Sequence, residues 1–222
     1  MATPLRNRLL VEGIKDLRVI PEIVEKLTGK PWGERNERHL WPAEIVEAGG
    51  DSKLLQVSYI SHQLKTSGVV NVGVIVDADF DAAARWIEVR NLLAKVLPSL
   101  PAAIPAEGLI HEYDEDGPRK FGVWIMPDNQ AKGMLETFLA SCVPDQSQGL
   151  WPFVVKHCDE AKLQHLAPYK DVHRDKATIH AWLALQNEPG SQLHDAIKFE
   201  QLKPGSPIAA LFLAWFRKLF VV

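Results

Sequence analysis

Apolar positions along this chain recur with two different periods, and the alternation between them sketches the fold. "NRLLVEG" is a short apolar run ending at Glu12 and Gly13, followed by "IKDLRVIPEIVEKLTG", where Leu17, Ile20, Ile23, Val24 and Leu27 recur at helical spacing. This predicts a strand, a turn and a helix closed by Gly29. The Gly-, Pro- and charge-rich "KPWGERNERHLWPAEIVEAGG" reads as an excursion with a short strand near Ala43 to Val46. "DSKLLQVSYISHQLKTSG" predicts one helix opening at Asp51 or Ser52 and stopping at Gly68, with apolar Leu54, Leu55, Val57, Ile60 and Leu64. "VVNVGVIVDAD" is a continuous apolar strand of the kind buried in a parallel sheet, and "FDAAARWIEVRNLLAKVL" is helical until Pro98.

Strands and helices alternating with short connections predict an α/β fold with a mainly parallel sheet flanked by helices. "GLIHEYDEDGPRKFGVWIMPD" breaks that rhythm, because two apolar runs flank a turn at Asp116 and Gly117, as in a hairpin. "GMLETFLASCV" predicts a short helix. After Pro144 the pattern is helical: "QGLWPFVVKHCDEAKLQHL", "RDKATIHAWLALQ" and "PIAALFLAWFRKLF", separated by Pro and Gly positions. The domain plan is therefore a core over 1–143 and a helical C-terminal extension over 144–222 packed on it.

The chemistry concentrates where strands end. In "VIVDADFDAAARW", Asp77, Asp79 and Asp81 occupy alternate positions after an apolar run, and three like charges at that spacing call for open water or a cation. Residues two apart on an extended segment project to one side, so Asp77 and Asp79 can face one cation together. Mg²⁺ accepts hard oxygen ligands of this kind. Asp81 reads equally as an accessory ligand and as the N-cap of the following helix. In open α/β sheets functional groups collect beyond the carboxyl ends of the strands, and Glu12 falls at such an end too, so neighbouring strands would bring it to the aspartates.

"LLVEGIKD" and "VGVIVDADFD", in that order and separated by a helical segment, resemble the Toprim domain of topoisomerases, bacterial primases and the overcoming-lysogenization-defect nucleases. The resemblance covers about residues 7 to 141. It implies a Toprim-like Rossmannoid core and Mg²⁺- or Mn²⁺-dependent cleavage of phosphodiesters in nucleic acid. Glu12 would then be the acid/base or metal-positioning group, and Asp77 and Asp79 the metal ligands. "MPDNQAKGMLE" and "DKATIHAWLALQNEPG" are similar to an uncharacterised bacterial Toprim-like family without an established substrate. In the two-metal Toprim nucleases a further acid and a lysine complete the site, and Glu136 in "GMLE" and Lys176 in "RDKATIH" match by resemblance. Read by themselves, Glu136 is an exposed carboxylate early in a helix, Lys176 a solvated helix lysine, and Asp128 a turn residue or minor ligand.

Composition trims these readings. The chain has 222 residues, of which 46% are hydrophobic and 24% charged, with net charge -3, so it is not built to grip nucleic acid by a broad basic surface. Local basic residues occur at Arg6, Arg8, Arg35, Arg38, Arg119, Lys120, Arg174 and Lys176. The acidic overall charge motivates a second expectation, a conditionally active or non-catalytic Toprim subunit working with a separate ATPase, because phosphate contacts normally need Lys or Arg. Two cysteines without metal-type spacing and no apolar run of membrane-spanning length predict a cytoplasmic protein with reduced thiols. The acids of "HEYDEDG" read as a solvated hairpin tip. No paired histidines, Gly-x-Ser-x-Gly elbow or Walker loop supports a zinc hydrolase, a serine nucleophile or autonomous ATP hydrolysis. "VIVDADFD" also resembles the nucleophile motif of haloacid-dehalogenase-like phosphatases. Its position well into the chain, Asp81 in place of the usual Thr or Val, and an unused Glu12-Gly13 argue against that reading.

Overall fold

A computed structural model of the chain describes residues 6–33, 40–97, 99–114, 117–144 and 148–220. Arg35, Arg38, Pro98 and Asp116 of the hairpin turn lie outside the described residues.

Five strands form one sheet: β1 (Asn7–Val11), β2 (Glu44–Glu47), β3 (Asn71–Asp77), β4 (Leu109–Asp114) and β5 (Pro118–Met126), in the order β2-β1-β3-β5-β4. β1 pairs in parallel with β2 and β3, and β3 with β5, while β4 closes the edge as an antiparallel hairpin with β5. Central β3 is buried from Val72 to Val76, as its unbroken apolar run requires when helices cover both faces.

One face carries Leu9, Val11, Ile75, Trp124 and Met126. It is covered by α1 (Ile14–Thr28), α5 (Leu135–Ala140), α6 (Leu150–Leu163), α7 (Arg174–Ala184), α8 (Leu193–Lys198) and α9 (Pro207–Phe220). The other face carries Leu10, Val72, Val74, Val76, Phe121, Val123 and Ile125 under α2 (Asp51–Leu54), α3 (Val57–Leu64) and α4 (Ala82–Leu93). The α/β class and the mostly parallel sheet agree with the sequence pattern. The α9-side cluster draws on residues from both sides of position 143.

Two local details differ from the pattern. The single helix predicted from Asp51 onward is two, broken at Leu55 and at Gln56, which is extended at φ -106° and ψ 130°. Leu54 and Ile60 are both buried, yet six residues along a straight helix would put them about a third of a turn apart. The break lets both pack on the sheet. Helix α8 has only 6 residues, too few for its period to stand out between the flanking Pro-Gly pairs.

Helix α9 lies unusually close to the sheet because glycines face it. Gly73 pairs with Gly122 across β3 and β5. A Cβ at Gly122 would stand 2.6 Å from Leu219 Cδ2, and one at Gly73 would stand 2.9 Å from the same atom. Trp215 Nε1 donates to the Leu109 carbonyl at 2.9 Å and Phe212 meets Trp124 edge-on, so the closing helix is bolted to β4 and β5. Among the described residues no helix is long and apolar enough to cross a membrane, and Cys142 and Cys158 are free thiols.

Candidate functional site

The parallel register of β1 with β3 sets Leu10 beside Val74, so both strands end at the same edge of the sheet, with β3 running on to Asp77 beyond the level of Val11. Glu12, one residue beyond β1, accepts the backbone N–H of Asp77 on Oε1 at 3.0 Å. The chain then turns into α1 through extended Gly13, whose N–H donates to Asp16 at 3.1 Å. That one bond across the first helical turn holds the Asp16 carboxylate beside Glu12. Asp77 in turn accepts the N–H of Leu135, the first residue of α5, at 3.0 Å. The end of β3 and the start of α5 are thereby pinned together, and Glu136 follows at once.

Glu136 is 3% exposed, which replaces the exposed helix-start reading of this residue with a buried one. A carboxylate so placed needs cations, and it has two: Lys15 Nζ at 3.1 Å from α1 and Lys176 Nζ at 3.7 Å from α7. Lys176 is thus an ion-pair partner within the site and not a freely solvated lysine.

These groups line one open cleft of about 520 Å³ at the carboxyl ends of β1 and β3. Of the residues singled out in the sequence, Glu12, Asp77, Asp79, Glu136 and Lys176 all line it. Asp81 does not. Its Oδ1 accepts the N–H groups of Ala83 at 2.8 Å and Ala84 at 3.0 Å, which makes it the N-cap of α4 and decides between the two roles left open for it. Asp128 is a turn residue, accepting the N–H groups of Gln130 and Ala131.

Burial and mutual repulsion govern the titration of this cleft. Burial pushes the Glu12 carboxyl up to about 7 against the opposing pull of the Asp77 N–H, with Asp16 and Asp51 adding to the rise. Burial likewise pushes Asp16 up to about 6. Asp77 is raised well above its ordinary value by burial, then by Glu12, Asp16 and Glu136. Asp79 is held differently. Its backbone is left-handed, at φ 55°, and locked to Gly133 by two backbone hydrogen bonds of 2.8 and 2.9 Å. Its carboxylate pairs with Arg85 at 2.6 Å.

Among the described residues no group of three or more His, Cys, Asp or Glu is gathered tightly enough to hold a metal ion. Glu12 and Asp77 each commit one oxygen to a backbone N–H, and the second oxygen of each makes no hydrogen bond among the described residues.

The pattern of the sequence did not single out Lys15, Asp16, Arg85 or His173. Lys15 and Asp16 stand inside "EGIKD", and His173 lies three residues before Lys176 at the entry to α7, so helical spacing from Lys176 was the available signal. His173 lines the cleft as well. The basic residues divide between the two ends of the sheet. Arg8 pairs with Glu44, Arg119 donates to the Leu64 carbonyl and Lys120 to that of Lys218, all toward the amino ends of the strands, opposite the cleft. Arg174 is bound to Asp159 and Asp175.

The sequence profile of a family described as "Protein of unknown function (DUF3226)" matches residues 6–221. No curated protein and no solved structure matches the chain.

Proposed function

The chain belongs to the DUF3226 family, and from its own cleft we propose that it is a Mg²⁺- or Mn²⁺-dependent phosphodiesterase of the Toprim type, a nuclease. The observation that carries this reading is the meeting of Glu12, Asp77, Asp79, Glu136 and Lys176 in one cleft at the carboxyl ends of parallel strands.

In its chemistry the donor set suits a hard divalent cation, and its carboxylates would have to draw closer together to hold one. It is all carboxylate oxygen; burial first, and then the neighbouring carboxylates, raise the affinity of Glu12 and Asp77 for protons, and the repulsion among those carboxylates is what a divalent cation would relieve. Glu12, Asp77 and Asp79 would hold it, with Asp79 first giving up Arg85. When bound, such an ion supplies positive charge to phosphoryl oxygens and acidifies a bound water. Without a cation Glu12 is pushed by burial up to about 7; as a ligand it would be held ionised, so it would serve as acid or base only where Asp77 and Asp79 carry the ion. Lys176 and Lys15 neutralise Glu136 and present positive charge at the cleft wall, where an anionic phosphate would otherwise meet only the carboxylates of the lining.

Calorimetric titration of Mg²⁺ and Mn²⁺ into wild type, Asp77→Asn and Glu12→Gln tests this, followed by cleavage assays on single-stranded, nicked and duplex DNA and RNA. Saturable binding that both substitutions weaken, with cleavage by wild type alone, is the expected result. No binding at millimolar metal sinks the catalytic reading.

A second reading, a Toprim subunit that cleaves only with a separate ATPase, draws support from the commitment of both cleft lysines to Glu136 and from the location of Arg8, Arg119 and Lys120 at the opposite end of the sheet. Metal binding without cleavage, and cleavage restored by a co-purifying ATPase, would favour it. A phosphatase using Asp77 as nucleophile is less well supported. Its second acid, Asp79, is paired with Arg85, and burial raises the proton affinity of Asp77 itself.

A further inference from the structure

Beside the cleft lies a second hollow, of about 370 Å³, and Asp79 lines both. Next to Asp79, Phe80 lines the second hollow and is 71% exposed. An aromatic ring left in water on a slack loop would be unremarkable, because apolar surface is scattered over every protein. The backbone under Phe80 is not slack. Asp79 before it is locked to Gly133 by paired backbone hydrogen bonds, the Asp81 N–H after it donates to the Ala78 carbonyl at 3.2 Å, and Asp81 then caps α4. The fold fixes the backbone from which this exposed ring projects.

The charges around it are unequal in their freedom. The three carboxylates of the hollow are each paired: Asp79 with Arg85 at 2.6 Å, Asp171 with Lys162 at 3.2 Å and Asp175 with Arg174 at 3.3 Å. Lys132, exposed on the same wall, makes no ion pair among the described residues. Thr137 accepts the Met134 N–H, which leaves its hydroxyl proton available to an incoming acceptor. An exposed aromatic ring on a fixed backbone, an unpaired ammonium and a hydroxyl donor, in a hollow at the small end of the ligand-pocket range, suit one nucleotide with its base exposed.

We propose that this hollow receives an unpaired nucleotide, its base stacked on Phe80 and its phosphate met by Lys132 and Thr137, so that the adjoining phosphodiester lies over Asp79 in the cleft. The inference rests on the nuclease reading and narrows its substrate to single-stranded nucleic acid. Duplex is disfavoured on two grounds. Paired bases hide their faces in the stack, and a chain of net charge -3 has few free cations at this end for binding by phosphate contacts alone. Stacking on aromatic side chains supplies affinity without them.

The test measures fluorescence anisotropy of a labelled oligothymidylate and of a blunt duplex of the same length, in Mg²⁺, with the Glu12→Gln protein carrying either Phe80 or Phe80→Ala. The strand is expected to bind about tenfold or more tightly than the duplex, Phe80→Ala to remove about tenfold of that, and Phe80→Trp to keep it. Melting temperatures should be unchanged, since the ring is exposed. Equal binding of strand and duplex, no binding of either, or strand binding indifferent to Phe80→Ala overturns the proposal. Cleavage by the wild type is read separately. Cutting of duplex without Phe80-dependent strand binding fails this inference and leaves the nuclease reading standing. Phe80-dependent strand binding without cutting in Mg²⁺ or Mn²⁺ does the reverse.

Discussion

Glu12 is the residue whose protonation the fold alters most legibly. Its carboxyl ordinarily titrates at 4.5 and is pushed to about 7, chiefly by burial. The folded state therefore holds this proton more tightly than the unfolded chain. Its stabilising contribution is complete below 4.5 and is lost as pH rises through about 7. After allowance for partial solvent exposure, the effect is on the order of 2 kcal/mol. Asp16, moved from 3.8 to about 6, tilts stability the same way. Glu12→Gln, neutral throughout, should flatten this part of the slope and melt higher than wild type above neutral pH. Thermal melts across the window check this, and a pH-independent difference between the two proteins would overturn it. Asp81 gives the complementary case. Asp81→Ala should cost about 1 kcal/mol in urea denaturation through loss of the α4 cap, with metal affinity unchanged and Asp81→Asn nearly silent. Loss of metal affinity in Asp81→Ala would return the residue to the ligand set. The strand-end position of Glu12 and the cap chemistry of Asp81 could be read from neighbours a few residues away. The pairing of Asp79 with Arg85 was harder to foresee, because it depends on the left-handed turn at Asp79.

Among the elements, β1 and β3 were legible because a strand covered on both faces must be apolar throughout, and α1 because Gly29 adopts the left-handed conformation, at φ 67°, that closes a helix. The division of α2 from α3 was not legible. It answers to the sheet beneath, which both Leu54 and Ile60 must reach. The approach of α9 depends on the same kind of contact. Leu219 is fully buried above Gly73 and Gly122, so it cannot swing aside for an added methyl group. Gly122→Ala should lower stability by about 1–3 kcal/mol, measured by urea denaturation, with the far-UV spectrum preserved. A silent substitution would mean that α9 adjusts freely on the sheet.

For the whole molecule, the shared cluster beneath α1, α8 and α9 predicts interdependence of core and C-terminal helices. A fragment ending at residue 143 would strip from Leu9, Ile75 and Trp124 the part of their cover that the C-terminal helices supply, and it should lack native near-UV signals and bind hydrophobic dyes. The intact chain should unfold in one urea transition by both fluorescence and far-UV detection. A fragment with a native-like, cooperative melt would contradict this. The sequence by itself determined the long strands and helices, the alternation that makes an α/β sheet, and the placing of acids at strand ends, because each follows from periods and neighbours within a short window. The tertiary structure alone decided that β1 and β3 lie side by side with Glu12 hydrogen-bonded to Asp77, that Glu136 is buried between Lys15 and Lys176, and that Asp16 and His173 join the same cleft. Those contacts join residues far apart in the chain, and strand order, helix packing and burial, which no local pattern records, bring them together.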